Sequence, residues 1–174
     1  MKKFIWAVSL LSLTFIVVGF ILSSHYEVSR SRVIHAAAPE IHVFVGDLRE
    51  WGQWTSWKQN DPGIVIKLGD ITTGVGATQR WTSQEGGGSI VFTESSARTG
   101  IAYDLSFDGG KHVAKARVDY AADDFGTRVT WSMRGNMNVP LIGAYFALMM
   151  DTMIGNMFEQ GLDGLAQVVE RPDQ

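Results

Sequence analysis

The stretch NVPLIGAYFALMMDTMIGNMFEQGLDGLAQVV, residues 138–169, decides the fold that this sequence predicts. Pro140 stands near its start, where a helix tolerates proline because the first N–H groups have no partner within the helix. Apolar residues then recur at the spacing of one helix face, at Met150, Ile154, Phe158, Leu162 and Leu165. The period holds for many turns, so we predict one long C-terminal helix whose apolar side lies against a curved sheet.

The first turns of this predicted helix are apolar on every side. Residues 141–150 leave no polar face, and such a helix must be covered all round. Four partners are candidates for this cover: the tryptophans at 51, 54 and 57, a bound ligand, a lipid surface and another protein. Apart from the initiator, every methionine lies within 133–157, and methionine adapts to varied apolar partners. The segment therefore predicts a pocket as well as a core.

Residues 64–135 are predicted to form an antiparallel meander, because turn residues separate short apolar runs. The predicted strands span 64–68, 76–82, 89–95, 99–107, 112–120 and 127–135. Apolar and polar residues alternate along the later strands, which gives the sheet one apolar face and one solvated face. We expect the apolar face to carry Trp81, Phe92, Tyr103, Phe107, Trp131 and Met133.

Upstream of the meander, the sequence predicts a first strand and two short helices. Residues 26–34 alternate like a strand with one solvated face. Pro39 and Glu40 suit the first turn of a helix, and the tryptophan-rich segment 51–57 forms a loop or a second short helix. The predicted fold class is α+β, with a curved antiparallel sheet of about seven strands wrapped around the long C-terminal helix.

The N-terminus carries another long apolar segment. Lys2 and Lys3 precede an uncharged run over residues 4–22, which is close to the length of about 20 residues that spans a bilayer as a helix. Two interpretations stay open, a retained signal anchor and a signal peptide removed near Ser24. Either one exports the rest of the chain. We therefore predict two parts, residues 1–24 and a single domain over residues 25–174.

The predicted location follows from the lysines ahead of this run. Positive charge before an apolar segment keeps the N-terminus in the cytoplasm. The sequence thus predicts a single-pass protein of the cell membrane that contacts the bilayer through residues 4–22. Its domain would be extracytoplasmic, and periplasmic in a Gram-negative cell. The absence of cysteine fits such a domain when it does not rely on disulfides.

Composition and motif spacing exclude several classes of function. A net charge of -3 and a pI of about 5.8 lack the basic excess of a nucleic-acid binder. The histidines fall on separate elements without the spacing of a metal site, so we expect no metal. There is neither a cysteine nucleophile nor a Gly-x-Ser-x-Gly motif. Gly74, Gly76 and the triple glycine at 86–88 belong to turns rather than phosphate loops, and we expect no cofactor.

Short segments of the chain carry a resemblance to a known superfamily: residues 33–34, 38–40, 47–57, 74–81, 126–131 and 151–165. The chain resembles the SRPBCC superfamily, the helix-grip fold of START lipid-transfer domains and birch-pollen-allergen proteins, and within it the polyketide cyclase/dehydrase-like branch. The resemblance covers essentially all of the predicted domain. It implies a cavity between sheet and long helix that binds hydrophobic small molecules or lipids and, in some members, catalyses cyclisation or dehydration.

The candidate cavity residues are the large apolar side chains expected to face that space: Trp54, Trp57, Trp81, Phe92, Tyr103, Phe107, Trp131, Met133, Met150, Ile154, Met157 and Phe158. The candidates for catalysis are Asp151, Tyr103 and Arg80. Asp151 belongs to a stripe that steps by four residues through Glu159 and Asp163 along one side of the helix. Such a stripe is either a solvated edge or, at a cavity rim, the place of a general acid or base.

Three functions follow from these observations. The leading hypothesis is membrane-tethered binding of a hydrophobic small molecule or lipid in the cavity. The second is a cyclase/dehydrase-like enzyme that uses the same cavity. The third is a protein-docking domain of the cell envelope with a filled core and an apolar patch at the start of the helix. The sequence leaves the identity of the ligand and the oligomeric state open.

Overall fold

One antiparallel sheet that curves around one long helix makes up most of the fold. The computed structural model describes residues 23–84, 86–137, 139 and 142–171, together with residues 3, 4, 6, 10, 13, 14 and 17. The predicted α+β class, the seven-stranded curved antiparallel sheet and the long C-terminal helix are confirmed.

Short helices separate the first strand from the meander. The strand β1 His25–Ile34 is followed by α1 Ala38–Val45, α2 Trp51–Trp54 and α3 Trp57–Asn60. The meander consists of β2 Val65–Leu68, β3 Thr78–Ser83, β4 Gly86–Ser96, β5 Gly100–Phe107, β6 His112–Asp123 and β7 Gly126–Asn136. The sequence predicted two short helices, and segment 35–64 forms three because the extended backbone of Thr55 divides the tryptophan segment.

The long helix α4 spans Gly143–Val169 and ends where the sequence predicts. The sequence predicts a start at residue 138, whereas among the described residues the helix begins at Gly143. Asn138, Pro140 and Leu141 lie outside them.

The order of the strands brings the two ends of the domain together. The sheet runs β1-β7-β6-β5-β4-β3-β2, so β1 pairs antiparallel with β7 and places Val28 opposite Met133. The other neighbouring strands are consecutive in sequence, as in a meander. The helix α4 follows β7, and β1 lies beside β7 at the edge of the sheet. As α4 crosses the apolar face of the sheet, it packs against β1.

Alternation along the strands places the core on the face toward α4. On β7, Val129, Trp131 and Met133 are buried, whereas Arg128 and Arg134 are exposed. Successive side chains of a strand point to opposite faces, so one face of the sheet is apolar and the other is solvated.

Two glycines let α4 approach its neighbours closely. A Cβ atom at Gly161 would lie 2.6 Å from Cζ3 of Trp131, and one at Gly164 would overlap the backbone carbonyl of Trp54. Carbon atoms that are not bonded to each other pack at about 3.5–4.0 Å. The absence of side chains at these two positions therefore sets how near α4 lies to the sheet and to α2.

A row of ion pairs fastens α4 to β1. Arg30 Nη1 lies 2.9 Å from Asp151 Oδ1, and Arg30 Nε lies 2.6 Å from Glu159 Oε1. Gly155 stands between these carboxylates and leaves room for the guanidinium group, which a Cβ atom there would overlap. Arg32 continues the row with Asp163. Just beyond the end of β1, the backbone N–H of His35 donates a hydrogen bond of 2.9 Å to Glu170 Oε1. The carboxylate stripe that the sequence predicts on this helix thus faces the basic residues of β1.

The predicted single-pass location in the cell membrane is wrong. No helix among the described residues is long and apolar enough to cross a membrane. The helix α4 has 27 residues, but Asp151, Glu159 and Asp163 interrupt its apolar character, and a crossing helix needs about 20 predominantly apolar residues. The run over 4–22, from which the location, the bilayer contact and the signal segment were predicted, lies mostly outside the described residues.

Candidate ligand cavity

A cavity of about 430 Å³ lies between the apolar face of the sheet, α3 and α4. Small-molecule sites usually enclose about 300–1,000 Å³. The lining combines side chains from the short helices, the sheet and α4: Trp57, Asn60, Asp61, Ile64, Trp81, Ser83, Gly86, Gly87, Tyr103, Leu105, Phe107, Trp131, Met133, Ile154, Met157 and Phe158. Most of these side chains are apolar or aromatic, so the cavity suits an apolar guest.

Burial divides the lining into a floor and a mouth. The floor consists of the buried lining residues, Tyr103, Leu105, Trp131, Met133 and Phe158. The mouth consists of the exposed or partly exposed polar and glycine residues, Asn60, Asp61, Ser83, Gly86 and Gly87. The end of α3 and the hairpin between β3 and β4 therefore frame the entrance.

Aromatic rings shape the floor and one wall of the cavity. Trp131 stacks on Phe158 of α4, with ring centroids 4.3 Å apart and planes inclined by 12°. The wall consists of the partly buried aromatic residues of the lining, Trp57, Trp81 and Phe107. The Trp81 ring lies 6.1 Å from that of Trp57 and 5.7 Å from that of Phe107. Aromatic pairs at these separations attract one another, so neighbouring rings hold each other in place.

Trp81 lies flat along the wall because a glycine faces it across the ladder. Gly88 on β4 is the cross-strand partner of Trp81 on β3. A Cβ atom at Gly88 would lie 2.6 Å from Cη2 of the indole ring. The ring thus covers bare backbone, and a larger residue at position 88 would push it toward the cavity or out of the wall.

Tyr103 brings a hydroxyl group to the floor. Its side chain is buried, and the Nε1–H group of Trp131 donates a hydrogen bond of 2.8 Å to the Tyr103 oxygen. The rings of Trp51 and Phe92 lie 5.5 Å and 6.1 Å from the Tyr103 ring and restrict its movement. Burial raises the pKa of Tyr103 far above its usual value. The hydroxyl therefore stays protonated and can donate a hydrogen bond.

The interior beside the cavity is filled by Trp51 and Trp54. Their Nε1–H groups donate hydrogen bonds of 2.9 Å and 3.2 Å to backbone carbonyls near the end of α1. The Trp54 ring also lies 5.2 Å from that of Trp131. The tryptophan segment therefore contributes packed core through two indoles and cavity lining through Trp57.

The structure brings most of the predicted cavity residues into one lining: Trp57, Trp81, Tyr103, Phe107, Trp131, Met133, Ile154, Met157 and Phe158. Trp54 and Phe92 are buried in the packed core, and Met150 packs against that core outside the lining. Sequence reasoning missed the remaining residues of the lining: Asn60, Asp61, Ile64, Ser83, Gly86, Gly87 and Leu105. The sequence pattern could have indicated Leu105, because it lies two residues after Tyr103 on β5 and so shares the same face of the sheet. Most of the others lie in or beside turns, where no period marks the direction of a side chain.

The three candidate catalytic residues lie in different settings. Tyr103 is on the floor, whereas Arg80 is exposed on β3 outside the lining. The Asp151 side chain is 63% exposed and is also outside the lining. Hydrogen bonds from Arg30 lower the pKa of Asp151, but a general acid or base at neutral pH needs a raised carboxyl pKa. The structure therefore does not bring these residues together into one catalytic site.

The described residues contain no group of three or more His, Cys, Asp or Glu side chains that could hold a metal ion. His42 has hydroxyl partners on both ring nitrogens, since Nδ1 lies 3.2 Å from the Tyr120 oxygen and Nε2 lies 3.3 Å from Oγ of Ser95. Burial lowers the pKa of His42. None of these three residues lines the cavity.

Comparison with known families agrees with this architecture. The sequence profile of the family described as polyketide cyclase / dehydrase and lipid transport matches residues 25–170. The chain belongs to this family. The predicted resemblance to the SRPBCC superfamily and its polyketide cyclase/dehydrase-like branch is thus confirmed. No curated protein matches this family member in sequence.

Solved structures share the fold of this family member. Protein CV1439 from Chromobacterium violaceum has a TM-score of 0.58 and 18% identity, over 84% of this chain and 98% of that protein. A protein from Thermobifida fusca has a TM-score of 0.60 and 19% identity, over 85% and 97%. Ara h 8.0201 has a TM-score of 0.56 and 12% identity, over 83% and 97%. At such identities the likeness concerns the fold alone.

Proposed function

We propose that this protein binds an apolar small molecule or a lipid in the cavity between the sheet and α4. The observation that carries the proposal is a cavity of about 430 Å³ that opens to solvent at its mouth and has a mainly apolar and aromatic lining. Sites for small molecules have this size and character. The family description, which includes lipid transport, supports the same function.

The energetics of packing favour a guest over an empty space. Protein interiors contain few voids larger than a water molecule, and atoms that line a void lose dispersion contacts on one side. An apolar guest restores such contacts with Trp131, Met133 and Phe158 on the floor. Removal of its apolar surface from water contributes about 25 cal/mol per Å².

Native mass spectrometry of the full chain from a bacterial host tests the proposal. We expect a stoichiometric adduct, and organic extraction followed by mass spectrometry of the extract would identify its chemical class. Exposed apolar side chains at the start of α4 could also collect lipid, and Leu148 is 65% exposed. A Leu148→Ser variant is the control, because an adduct held in the cavity survives this change. An apo mass, combined with no binding of the apolar fluorophore N-phenyl-1-naphthylamine, would contradict the proposed function.

Cyclisation or dehydration in the same cavity is a second candidate function. The observation that favours it is that Tyr103 and Asp61 both line the cavity, one on the floor and one at the mouth. A hydroxyl donor can stabilise charge that develops on a substrate carbonyl, and a carboxylate can accept a proton. Incubation of the extracted ligand class with the wild-type protein and with Asp61→Asn tests this candidate. Equal product formation by both proteins would contradict a role for the carboxylate.

A further inference from the structure

The charges around the cavity restrict what its guest can be. The described lining contains no lysine, arginine or histidine, and its one ionisable carboxyl group is that of Asp61 at the mouth. A guest with a buried anionic group would find no cation in this lining. Burial of an unpaired charge is strongly unfavourable, so the end of the guest that reaches the floor is uncharged.

The floor nevertheless offers a hydrogen-bond donor. The Tyr103 oxygen accepts the bond from Nε1 of Trp131 at 2.8 Å, and a phenolic hydroxyl can donate as well as accept. Within the part of the chain that the structure describes, this hydroxyl has no second hydrogen-bond partner. Its proton is therefore available to an acceptor that enters the cavity.

Packing keeps this donor in place. Trp51 and Phe92 flank the Tyr103 ring within the core, and the side chain is 2% exposed. Water therefore has little access to this side chain, and the part of it that lines the floor is what a guest can contact. A buried donor without an acceptor is unfavourable. A guest that places an acceptor beside the Tyr103 hydroxyl therefore gains a hydrogen bond, and a guest that lacks the acceptor does not.

We propose that the buried end of the guest carries a carbonyl oxygen on an otherwise apolar skeleton, and that this oxygen accepts the hydrogen bond from Tyr103. This inference rests on the proposed function and narrows it to a chemical class. Uncharged ketones, quinones and lactones fit the class. Plain hydrocarbons, and acids with a buried carboxylate, do not. Tyr103 is then the residue that determines specificity.

Displacement of N-phenyl-1-naphthylamine from the full chain tests this inference with three probes of one skeleton. The probes are 9-fluorenone with a carbonyl group, fluorene with a methylene group in its place, and fluorene-9-carboxylate with a charge. We expect fluorenone to bind more tightly than fluorene and the carboxylate to bind most weakly. The Tyr103→Phe substitution should lower the ratio of fluorenone affinity to fluorene affinity by about tenfold, the effect of one hydrogen bond.

Tyr120→Phe is the matched control. Tyr120 is also a buried tyrosine, but it lies outside the cavity lining and contacts His42. Its substitution should leave the ratio of fluorenone affinity to fluorene affinity at the wild-type value. The two probes differ in how strongly water solvates them. This difference affects the affinity ratio of every protein variant equally, so it cancels when the ratios of two variants are compared.

The outcomes separate this inference from the proposed function. If neither the fluorophore nor any probe binds, the proposed function fails. If fluorene and fluorenone both bind and their affinity ratio is the same in the wild type and in Tyr103→Phe, only the carbonyl proposal is overturned. The wild-type protein alone also provides a test, because fluorenone binding more weakly than fluorene, or no more tightly than the carboxylate, overturns the proposal.

Discussion

Tyr103 and Asp151 show at the scale of single residues that the surroundings decide what a titratable group can do. Burial raises the pKa of Tyr103 and keeps its hydroxyl protonated. Hydrogen bonds from Arg30 lower the pKa of Asp151 and keep its carboxylate charged. Since Asp151 also lies outside the lining, we assign it to the attachment of α4 rather than to the cavity.

We expect Asp151→Asn to leave the affinity for N-phenyl-1-naphthylamine unchanged. The substitution keeps the size of the side chain and removes the charge, and the side chain points to solvent and to Arg30 instead of the cavity. Fluorescence titration of both proteins measures the two dissociation constants. Clearly weaker binding by the variant, with the same melting temperature as the wild type, would place Asp151 in the site.

His42 should make the protein less stable below about pH 6.5, the usual histidine pKa. Burial lowers its pKa in the folded chain, so the unfolded chain binds a proton that the folded chain does not. The free energy of unfolding therefore falls as the pH drops from the unfolded pKa through the folded one, and it is unaffected by His42 at higher pH.

Melting temperatures of the wild type and of His42→Gln between about pH 7 and pH 5 measure this effect. The variant should lose less melting temperature over this interval than the wild type. The control is His25→Gln, at an exposed histidine on β1. Identical pH profiles for the wild type and His42→Gln would show that His42 does not contribute.

At the scale of elements, the position of α4 depends on its glycines, which leave room for neighbouring groups, as well as on the side chains that contact those groups. Arg30 fits beside Gly155, and the Trp54 backbone fits beside Gly164. Glycine within a helix costs about 1 kcal/mol relative to alanine. On α4 this cost is offset by the close approach of the helix to β1 and α2.

We expect Gly164→Ala to destabilise the protein by about 1 kcal/mol despite the better helix propensity of alanine. The new Cβ atom would overlap the Trp54 carbonyl, and backbone must move to make room. Gly52→Ala is the matched control, because a Cβ atom at this helical position has no atom within 4 Å, and it should stabilise by about 0.4–1 kcal/mol. Urea unfolding of both variants measures the free energies, and a gain in stability for Gly164→Ala would contradict the close packing.

At the scale of the whole molecule, one helix serves both a hollow and a packed region. Met157 on α4 lines the cavity, whereas Leu162, little more than one turn further on, is buried in the core. The space beside α4 is therefore open at Met157 and filled at Leu162. The same type of substitution therefore has different consequences at the two sites.

We expect Met157→Trp to fold with little loss of stability and to abolish binding of N-phenyl-1-naphthylamine, because the indole occupies the cavity. Leu162→Trp should lose about 1–3 kcal/mol through overpacking, since no free space adjoins that side chain. Urea unfolding and fluorescence titration measure the two effects. A similar loss of stability in both variants, with binding retained by Met157→Trp, would argue that this end of the interior is filled.

Features that rest on a pattern repeated along the chain were predictable from the sequence, and features that rest on a single residue or a turn were not. The helical period of α4 and the alternation along β7 repeat every few residues, so the sequence shows the element and its apolar face directly. The division of the tryptophan segment into α2 and α3 was not visible, because it depends on the backbone conformation of Thr55 and Ser56, which no periodic pattern marks. The mouth of the cavity was missed for a similar reason, since its polar residues lie at the end of α3 and in the β3–β4 hairpin.

By itself, the sequence determined the α+β class, the order of the strands, the long C-terminal helix and the apolar face of the sheet, because these depend on local backbone geometry. Only the tertiary structure decided that Arg30 meets Asp151, 121 positions away, and that Tyr103 faces a hollow while Phe92 and Trp54 are packed. A cavity is the difference between the space that distant elements enclose and the volume of the side chains within it. No periodic pattern in a sequence records that difference.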